Sequence, residues 1–219
     1  MYKLYWHPNT SSYAPMAVLE ELDVSFDLHE VDYDGGETQT PEYLRVQPLG
    51  LIPALEFEGG GSMFESGAIV LYLCDRHGET SLAPSPKEAE RPIYLQWLFF
   101  LADTLYPSYS RFYWPARYTA ASEGASDVKE QARQTMMKQW QVVEDALQTN
   151  GPWLLGRRFS ACDIYLQMVT TWHESPADLL NAFPRVREVA RGVISREGCQ
   201  RALDRHNFKT GFETEAVDK

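Results

Sequence analysis

Between Leu51 and Cys74 the apolar rhythm of the chain changes character twice. Pro53 removes a backbone donor and disfavours helix at Ile52, so Ile52-Pro53 belongs at a strand start or turn. A short apolar strand over Ala54–Phe57 can then pair with Ser62–Phe64 across the turn built from Gly59, Gly60 and Gly61. After Glu65-Ser66 the apolar residues Ile69, Val70, Leu73 and Cys74 recur at three- and four-residue spacing, which predicts a helix with one buried face. The Ser66 hydroxyl is expected to cap that helix.

The same reading extends to both sides. Lys3–Trp6 and Ser25–Val31 predict strands, with a helix over Tyr13–Leu22 between them, a loop over Asp32–Thr40 and a short helix over Pro41–Val46. Strand–helix–strand followed by strand–strand–helix describes a mixed four-stranded sheet with helices on its faces. The proline- and serine-rich stretch Glu79–Lys87 predicts a domain boundary, with residues 1–79 as the first domain and 80–87 as the linker. Beyond it every periodic segment is helical: Ala89–Tyr118, Asp127–Thr149, Ala161–Trp172, Pro184–Ile194 and Glu197–Arg205. Residues 88–219 are therefore expected to form an all-α domain, with a loose polar tail over 211–219. One helix start is strongly specified. Ser160 and Asp163 form a capping box, with Phe159 and Ile164 as the matching hydrophobic staple, so Asp163 is read as structural.

Composition narrows the partners. A net charge of −11 over 219 residues disfavours nucleic acid and anionic membrane surfaces. No apolar run has the length of a membrane span, and Met1–Leu22 lacks the apolar centre of a signal peptide. The cysteines Cys74, Cys162 and Cys199 are widely spaced, form no CxxC pair and no zinc-ligand cluster, and fit packing roles in a reducing cytoplasm. No metal is expected.

A backbone edge at Ile52-Pro53 beside a helix N-terminus at Glu65-Ser66 suits a small ligand with both amide and carboxylate groups. Three segments carry a resemblance that sharpens this. GLIPALEFEGGGSMFESGAIVLYLCDRHG (Gly50–Gly78), KLYWHPNTSSYAPMAVLEEL (Lys3–Leu22) and GPWLLGRRFSACDIYL (Gly151–Leu166) resemble, in order, three signature regions of cytosolic glutathione transferases. The resemblance implies an α/β N-terminal thioredoxin-like domain followed by the all-α domain. It also implies glutathione as co-substrate, small hydrophobic electrophiles as second substrates, a role in detoxification, and a homodimer.

Such an enzyme must make a thiol with an ordinary pKa near ~8.5 reactive at neutral pH. A hydroxyl donor and a helix N-terminus aimed at the sulfur would both help. The catalytic candidates are Ser11 and Ser12. If Ser12 is the N-cap, Pro15 falls at the third helical position, where its missing N–H costs nothing; a Ser11 cap would put it at the fourth. Ser12 is therefore read as the cap and Ser11 as the thiolate stabiliser. The loop matches no single class: Ser11 aligns with the beta-class cysteine, Ser12 with the theta-class serine, and a zeta-like loop would place its key serine nearer Asn9. Tyr5 is read as a packing residue of the first strand.

The resemblance further implies a cis Ile52-Pro53 bond and glutathione contacts at Ile52, Pro53, Glu65 and Ser66. Ser66 would meet the γ-glutamyl carboxylate, Glu65 the ammonium, and the Ile52 main chain the central amides. Gln39 stands in the region that meets the glycyl carboxylate in related enzymes, and Arg45 is read as a solvated helix residue. Asp103 is expected to reach the ammonium across a dimer. The second-substrate pocket is assigned to Tyr106, Tyr109, Arg111, Tyr113 and Trp114, completed by His7 and Tyr13. Rival functions are a glutathione-dependent isomerase or lyase, and a non-catalytic binding module. A disulfide reductase is disfavoured because the loop holds no cysteine.

Overall fold

In β1 (Tyr2–Trp6) three consecutive residues, Leu4, Tyr5 and Trp6, are buried. Burial on both faces is the mark of an inner strand. The computed structural model, which describes residues 1–78 and 82–213, puts β1 inside a four-stranded sheet of order β2-β1-β3-β4. β2 (Phe26–Glu30) runs parallel to β1, while β3 (Ala54–Glu56) is antiparallel to β1 and to β4 (Ser62–Phe64). The expected strand over Ala54–Phe57 stops one residue early. Phe57 closes the turn instead, its N–H donating to the Gly61 carbonyl at 3.0 Å. Gly59, Gly60 and Gly61 all have positive φ, so this turn needs glycine throughout.

Helix α1 (Tyr13–Glu21) links the two parallel strands and is buried over most of its circumference, packing against α3 (Ser66–Arg76) and α10 (Glu197–His206). α2 (Pro41–Leu44) is a single turn capped by Thr40, whose hydroxyl accepts the Tyr43 N–H at 3.2 Å. A core cluster of Tyr5, Val31, Tyr43 and Ala54, joined by Val46 and Ile52, lies under this part of the sheet.

The chain divides into two units, Met1–Glu88 with Gly192–Phe208, and Ala89–Arg191 with Lys209–Lys219. The expected linker falls partly on residues 80 and 81, which with residue 79 lie outside the described residues, as do residues 214–219 of the expected loose tail. One difference from the sequence reading matters: α10, expected within the helical domain, belongs with the sheet. The reason is its buried face, which carries Cys199, Ala202 and His206, together with ion pairs from Arg196 to Glu21 (2.6 Å) and Arg201 to Glu20 (2.6 Å) on α1.

The second unit contains α4 (Arg91–Phe99), a π-helical stretch (Phe100–Leu105), α5 (Tyr106–Tyr113), α6 (Ala125–Asn150), α7 (Ala161–Thr170), α8 (Pro176–Ala182) and most of α9 (Pro184–Ile194). The single helix expected over Ala89–Tyr118 is distorted before Pro107 and ends before Pro115. Pro107 has no N–H for the carbonyl four residues back, and just before it the ladder widens, with Tyr106 N–H donating five residues back to Leu101. Pro115 opens a separate 3₁₀ turn over Pro115–Tyr118. α8 was not expected; Ser175 caps it by accepting the Asp178 N–H at 3.3 Å. Buried Glu144 on α6 accepts the N–H groups of Arg185 and Val186, satisfying the N-terminus of α9 from another helix.

The capping box at the start of α7 is present. Asp163 Oδ2 accepts the Ser160 N–H at 2.8 Å, and Oδ1 accepts the Leu154 N–H at 2.9 Å. Phe159, the expected partner of Ile164, packs its ring against Trp153. Burial pushes the Asp163 carboxyl up to about 7, against the opposing pull of those N–H donors. Because the folded value is raised, the stability this group contributes is complete below its ordinary pKa of about 4 and is lost as pH rises through about 7. Asp163→Ala should cost about 2–4 kcal/mol, since it strands two buried N–H groups. It should also flatten the fall in stability across that pH window. Urea unfolding at either end of the window measures both effects.

Candidate functional site

Strand register alone brings the candidate segments together. Tyr5 pairs with Ala54 across antiparallel strands, so residues following Trp6 emerge beside residues preceding Ala54. Ala54 pairs in turn with Phe64, which delivers Glu65 and Ser66 to the same end of the sheet. Trp6 pairs in parallel with Glu30, so the loop from Val31 onward starts there too. Segments 7–12, 50–53, 65–66 and the start of the 31–39 loop therefore share one sheet end.

Within the first of these segments the two serines differ. Ser12 is the N-cap of α1, as the Pro15 argument requires, and Met16 N–H donates to its carbonyl at 3.1 Å. Its hydroxyl makes no capping bond to the helix; it is fully buried in the loop. Thr10 Oγ1 donates to the His7 carbonyl at 2.7 Å and lies 2.7 Å from Ser12 Oγ, which also accepts the His7 N–H at 3.4 Å. Ser11 points elsewhere, its Oγ donating across to the Ile52 carbonyl at 3.4 Å. Asn9 holds a left-handed φ of 58°, which asparagine tolerates better than most residues.

The Ile52 edge is held from behind. The Ile52-Pro53 bond is cis. Buried Tyr43 donates its hydroxyl to the Leu51 carbonyl at 2.6 Å. Gly50 has φ +65°, and a Cβ there would sit 2.7 Å from the Thr38 carbonyl and closer still to the Gln39 amide. That close approach lays exposed Gln39 against the segment leading to Ile52. Glu37 fixes the loop before it, accepting the Asp32 N–H at 2.7 Å and pairing with His29 at 2.6 Å. Those contacts hold its carboxyl below the usual range, the Asp32 N–H being the largest cause.

At the start of α3 the sequence reading needs a correction. Ser66 is the first helical residue, not the cap; the cap position is Glu65, with φ 71° and ψ 108°. A helix entered through a β-strand one residue earlier leaves no extended position for Ser66. A glutamate at positive φ costs on the order of 1–3 kcal/mol, a strain of the kind found at ligand sites. Ser66 is buried and Glu65 is exposed.

The remaining candidates divide. His7 is half-buried, its Nδ1 3.0 Å from the Val31 carbonyl and its ring 5.7 Å from exposed Tyr33. Tyr13 is fully buried against His206 and Phe208 and presents no surface to a ligand. In the helical unit, Tyr109 is also buried, its hydroxyl accepting Trp140 Nε1–H at 3.0 Å. Tyr106 and Tyr113 both contact Trp172, the first ring-to-ring at 4.6 Å and the second through its hydroxyl on the Trp172 carbonyl. Trp114 and Arg111 are exposed, with Arg117 over the Trp114 ring and Arg111 over Tyr118. Asp103 is exposed on the π-helical stretch. Arg45 pairs with Glu42 at 3.5 Å on the surface.

Two residues that shape the site, Thr10 and Tyr43, are not among the candidates the sequence singles out. Thr10 was legible as part of a run of hydroxyls. Tyr43 carries no local signal, because its partner depends on the fold. Among the described residues no helix is long and apolar enough to cross a membrane, and no group of three or more His, Cys, Asp or Glu is arranged to hold a metal ion.

A thioredoxin-like sheet, a cis-proline edge and a following helical unit define the class, and comparison with known proteins agrees. The N-terminal domain pattern of glutathione S-transferases matches residues 1–75 and the C-terminal domain pattern matches residues 103–203. A disulfide-bond oxidoreductase of Escherichia coli, YfcG, is 31% identical over 210 residues, covering 93% of this chain and 94% of that protein. A glutathione transferase structure from Methylococcus capsulatus superposes with a TM-score of 0.82 at 30% identity, covering 94% of this chain and 99% of that one. A Sulfitobacter homologue with bound glutathione gives 0.84 at 26% identity, covering 93% and 97%. The chain belongs to the glutathione transferase family.

Thr10→Val should remove the hydroxyl joining His7 and Ser12. A stability loss of about 1 kcal/mol is expected, read as a lower urea midpoint with an unchanged slope.

Proposed function

We propose that this chain is a cytoplasmic glutathione transferase in which the Ser11 hydroxyl stabilises the glutathione thiolate for attack on small hydrophobic electrophiles. The observation that carries the reading is the contrast between the two hydroxyls. Both serines are buried, but Ser12 Oγ is held within the loop by Thr10 and His7, whereas Ser11 Oγ reaches the Ile52 carbonyl, on the edge where a peptide would pair. A thiol with a pKa near ~8.5 is lowered by a hydroxyl donor and by the positive end of α1.

The rest of the tripeptide follows the same sheet end. Its central amides pair with the main chain at Ile52, next to Pro53. Its γ-glutamyl carboxylate meets Ser66 and the first N–H groups of α3, an eleven-residue helix. Glu65 receives the ammonium, and Asp103 of a second copy in a homodimer adds to that charge. Gln39 receives the glycyl carboxylate as a neutral donor. Of the residues expected to meet the electrophile, Tyr13 and Tyr109 pack in the interior and are not assigned to it. Holding both reactants together supplies most of the remaining acceleration.

Similarity to the disulfide-bond oxidoreductase favours a second reading. All three cysteines are buried, so glutathione itself would do the exchange. Its thiolate attacks a disulfide and displaces one thiolate; a second glutathione displaces the other, leaving oxidised glutathione. Parallel assays with a chlorodinitrobenzene and with a small dialkyl disulfide separate the two readings.

The test of the main reading is titration of bound glutathione by thiolate absorbance. Wild type should show a pKa at least about one unit below ~8.5. Ser11→Ala should restore the free value, while Ser12→Ala loses stability and keeps the depressed one. Loss only in Ser12→Ala would overturn the assignment, and no binding by wild type would leave a non-catalytic module. Glu65→Gln should weaken glutathione binding about tenfold or more, as expected for a lost charge-assisted contact.

A further inference from the structure

Behind the serine loop sits a histidine with no hydrogen-bond partner. His206, the last residue of α10, is fully buried, and neither ring nitrogen is bonded. Burying an imidazole this way is unfavourable relative to a phenyl ring of similar size. Its contacts are aromatic: Trp6 at 5.2 Å, Tyr13 at 5.6 Å edge-on, and Phe208 at 5.3 Å with the rings within 12° of parallel. Asn207 takes the left-handed φ of 52° that turns the chain and lays Phe208 on His206.

Two of these partners have a particular place in the chain. Trp6 is the last residue of β1 and Tyr13 the first of α1. Between them lies the loop His7–Ser12. A segment from the far end of the chain thus grips the loop at both of its roots, and it does so inside the unit that carries the sheet. We propose that His206 is a positioning residue, whose neutral ring clamps Trp6 and Tyr13 and thereby sets where the loop presents the Ser11 hydroxyl. The clamp stands on geometry alone; its chemical consequence rests on the function proposed above.

The clamp also has a pH limit. The groups facing His206 are Trp6 at the end of β1, His7 at the start of the loop, Tyr13 from α1, and Phe208 beyond α10, and none supplies a negative charge. The nearby α1 carboxylate Glu21 is engaged by Arg196. Burial, helped by His7, lowers the His206 pKa to about 3. A lowered value means the stabilisation is complete above the ordinary histidine pKa of about 6.5 and is lost as pH falls toward about 3. Acid should therefore weaken the clamp.

Hydrogen exchange followed by mass spectrometry tests this in the full chain, without needing any ligand. In His206→Ala, amides of residues 7–16 should exchange about tenfold faster or more, while α6 stays protected. His206→Phe should keep the loop protected and abolish its extra exchange below about pH 6.5, after correction for intrinsic rates. The thiol pKa of bound glutathione should rise in His206→Ala and stay low in His206→Phe. Unchanged loop protection in His206→Ala, protection lost evenly across the chain, or equal loss in both variants would each overturn the clamp. Should His206→Ala fail to fold, Phe208→Leu removes one face of the same cluster and is judged by the same pattern. If glutathione does not bind, the exchange result still decides the clamp and only the functional reading falls.

Discussion

The constraint on which the site depends is the register of one inner strand. β1 is paired on both sides, and its last residues lie opposite the first residues of β3. A slip of two residues would preserve every face and every hydrogen-bond type, yet it would carry the serine loop away from Ile52. The buried run Leu4-Tyr5-Trp6 prevents that slip, because each side chain fills a defined place. Tyr5 meets Tyr43 and Ala54 in the cluster beneath the edge, and Trp6 meets His206. Packing energy at one strand is thus converted into placement of groups that the strand does not itself contain.

Around that frame the polar groups are distributed unequally. Ser12, Thr10 and the His7 backbone satisfy one another and make a closed loop. Tyr43 secures the Leu51 carbonyl, and Glu37 secures the loop that carries Gln39. At the sheet end itself, Ser11 donates to the Ile52 carbonyl, and α3 is entered through a glutamate with φ 71°. Strain at Glu65 fits this division, since the largest positive φ of any non-glycine residue among the described residues lies where the chain must present a backbone rather than bury it.

Much of this was legible in the sequence, for reasons that differ by residue. The capping box of Ser160 and Asp163 and the triple-glycine turn are local, so their chemistry is written in adjacent letters. The position of the α1 cap followed from Pro15 because a missing N–H is tolerated only within the first turn. Other features depend on distant partners. The Ser66 expectation failed because serine before an apolar helix reads as a cap, whereas the short β4 strand runs to within one residue of the helix. The helix expected over Ala89–Tyr118 ignored what Pro107 does to the ladder. The allegiance of α10 to the sheet, the burial of Tyr109 under Trp140 and the contacts of His206 are all set by packing across long separations, which periodicity does not encode.

The most direct test of the account is the structure of this chain with glutathione bound. The account requires the sulfur within hydrogen-bond distance of Ser11 Oγ, the central amides paired with the Ile52 main chain, and the γ-glutamyl carboxylate at the first turn of α3. A sulfur seated on Ser12 or Tyr5, or a tripeptide bound away from the Ile52 edge, would contradict it.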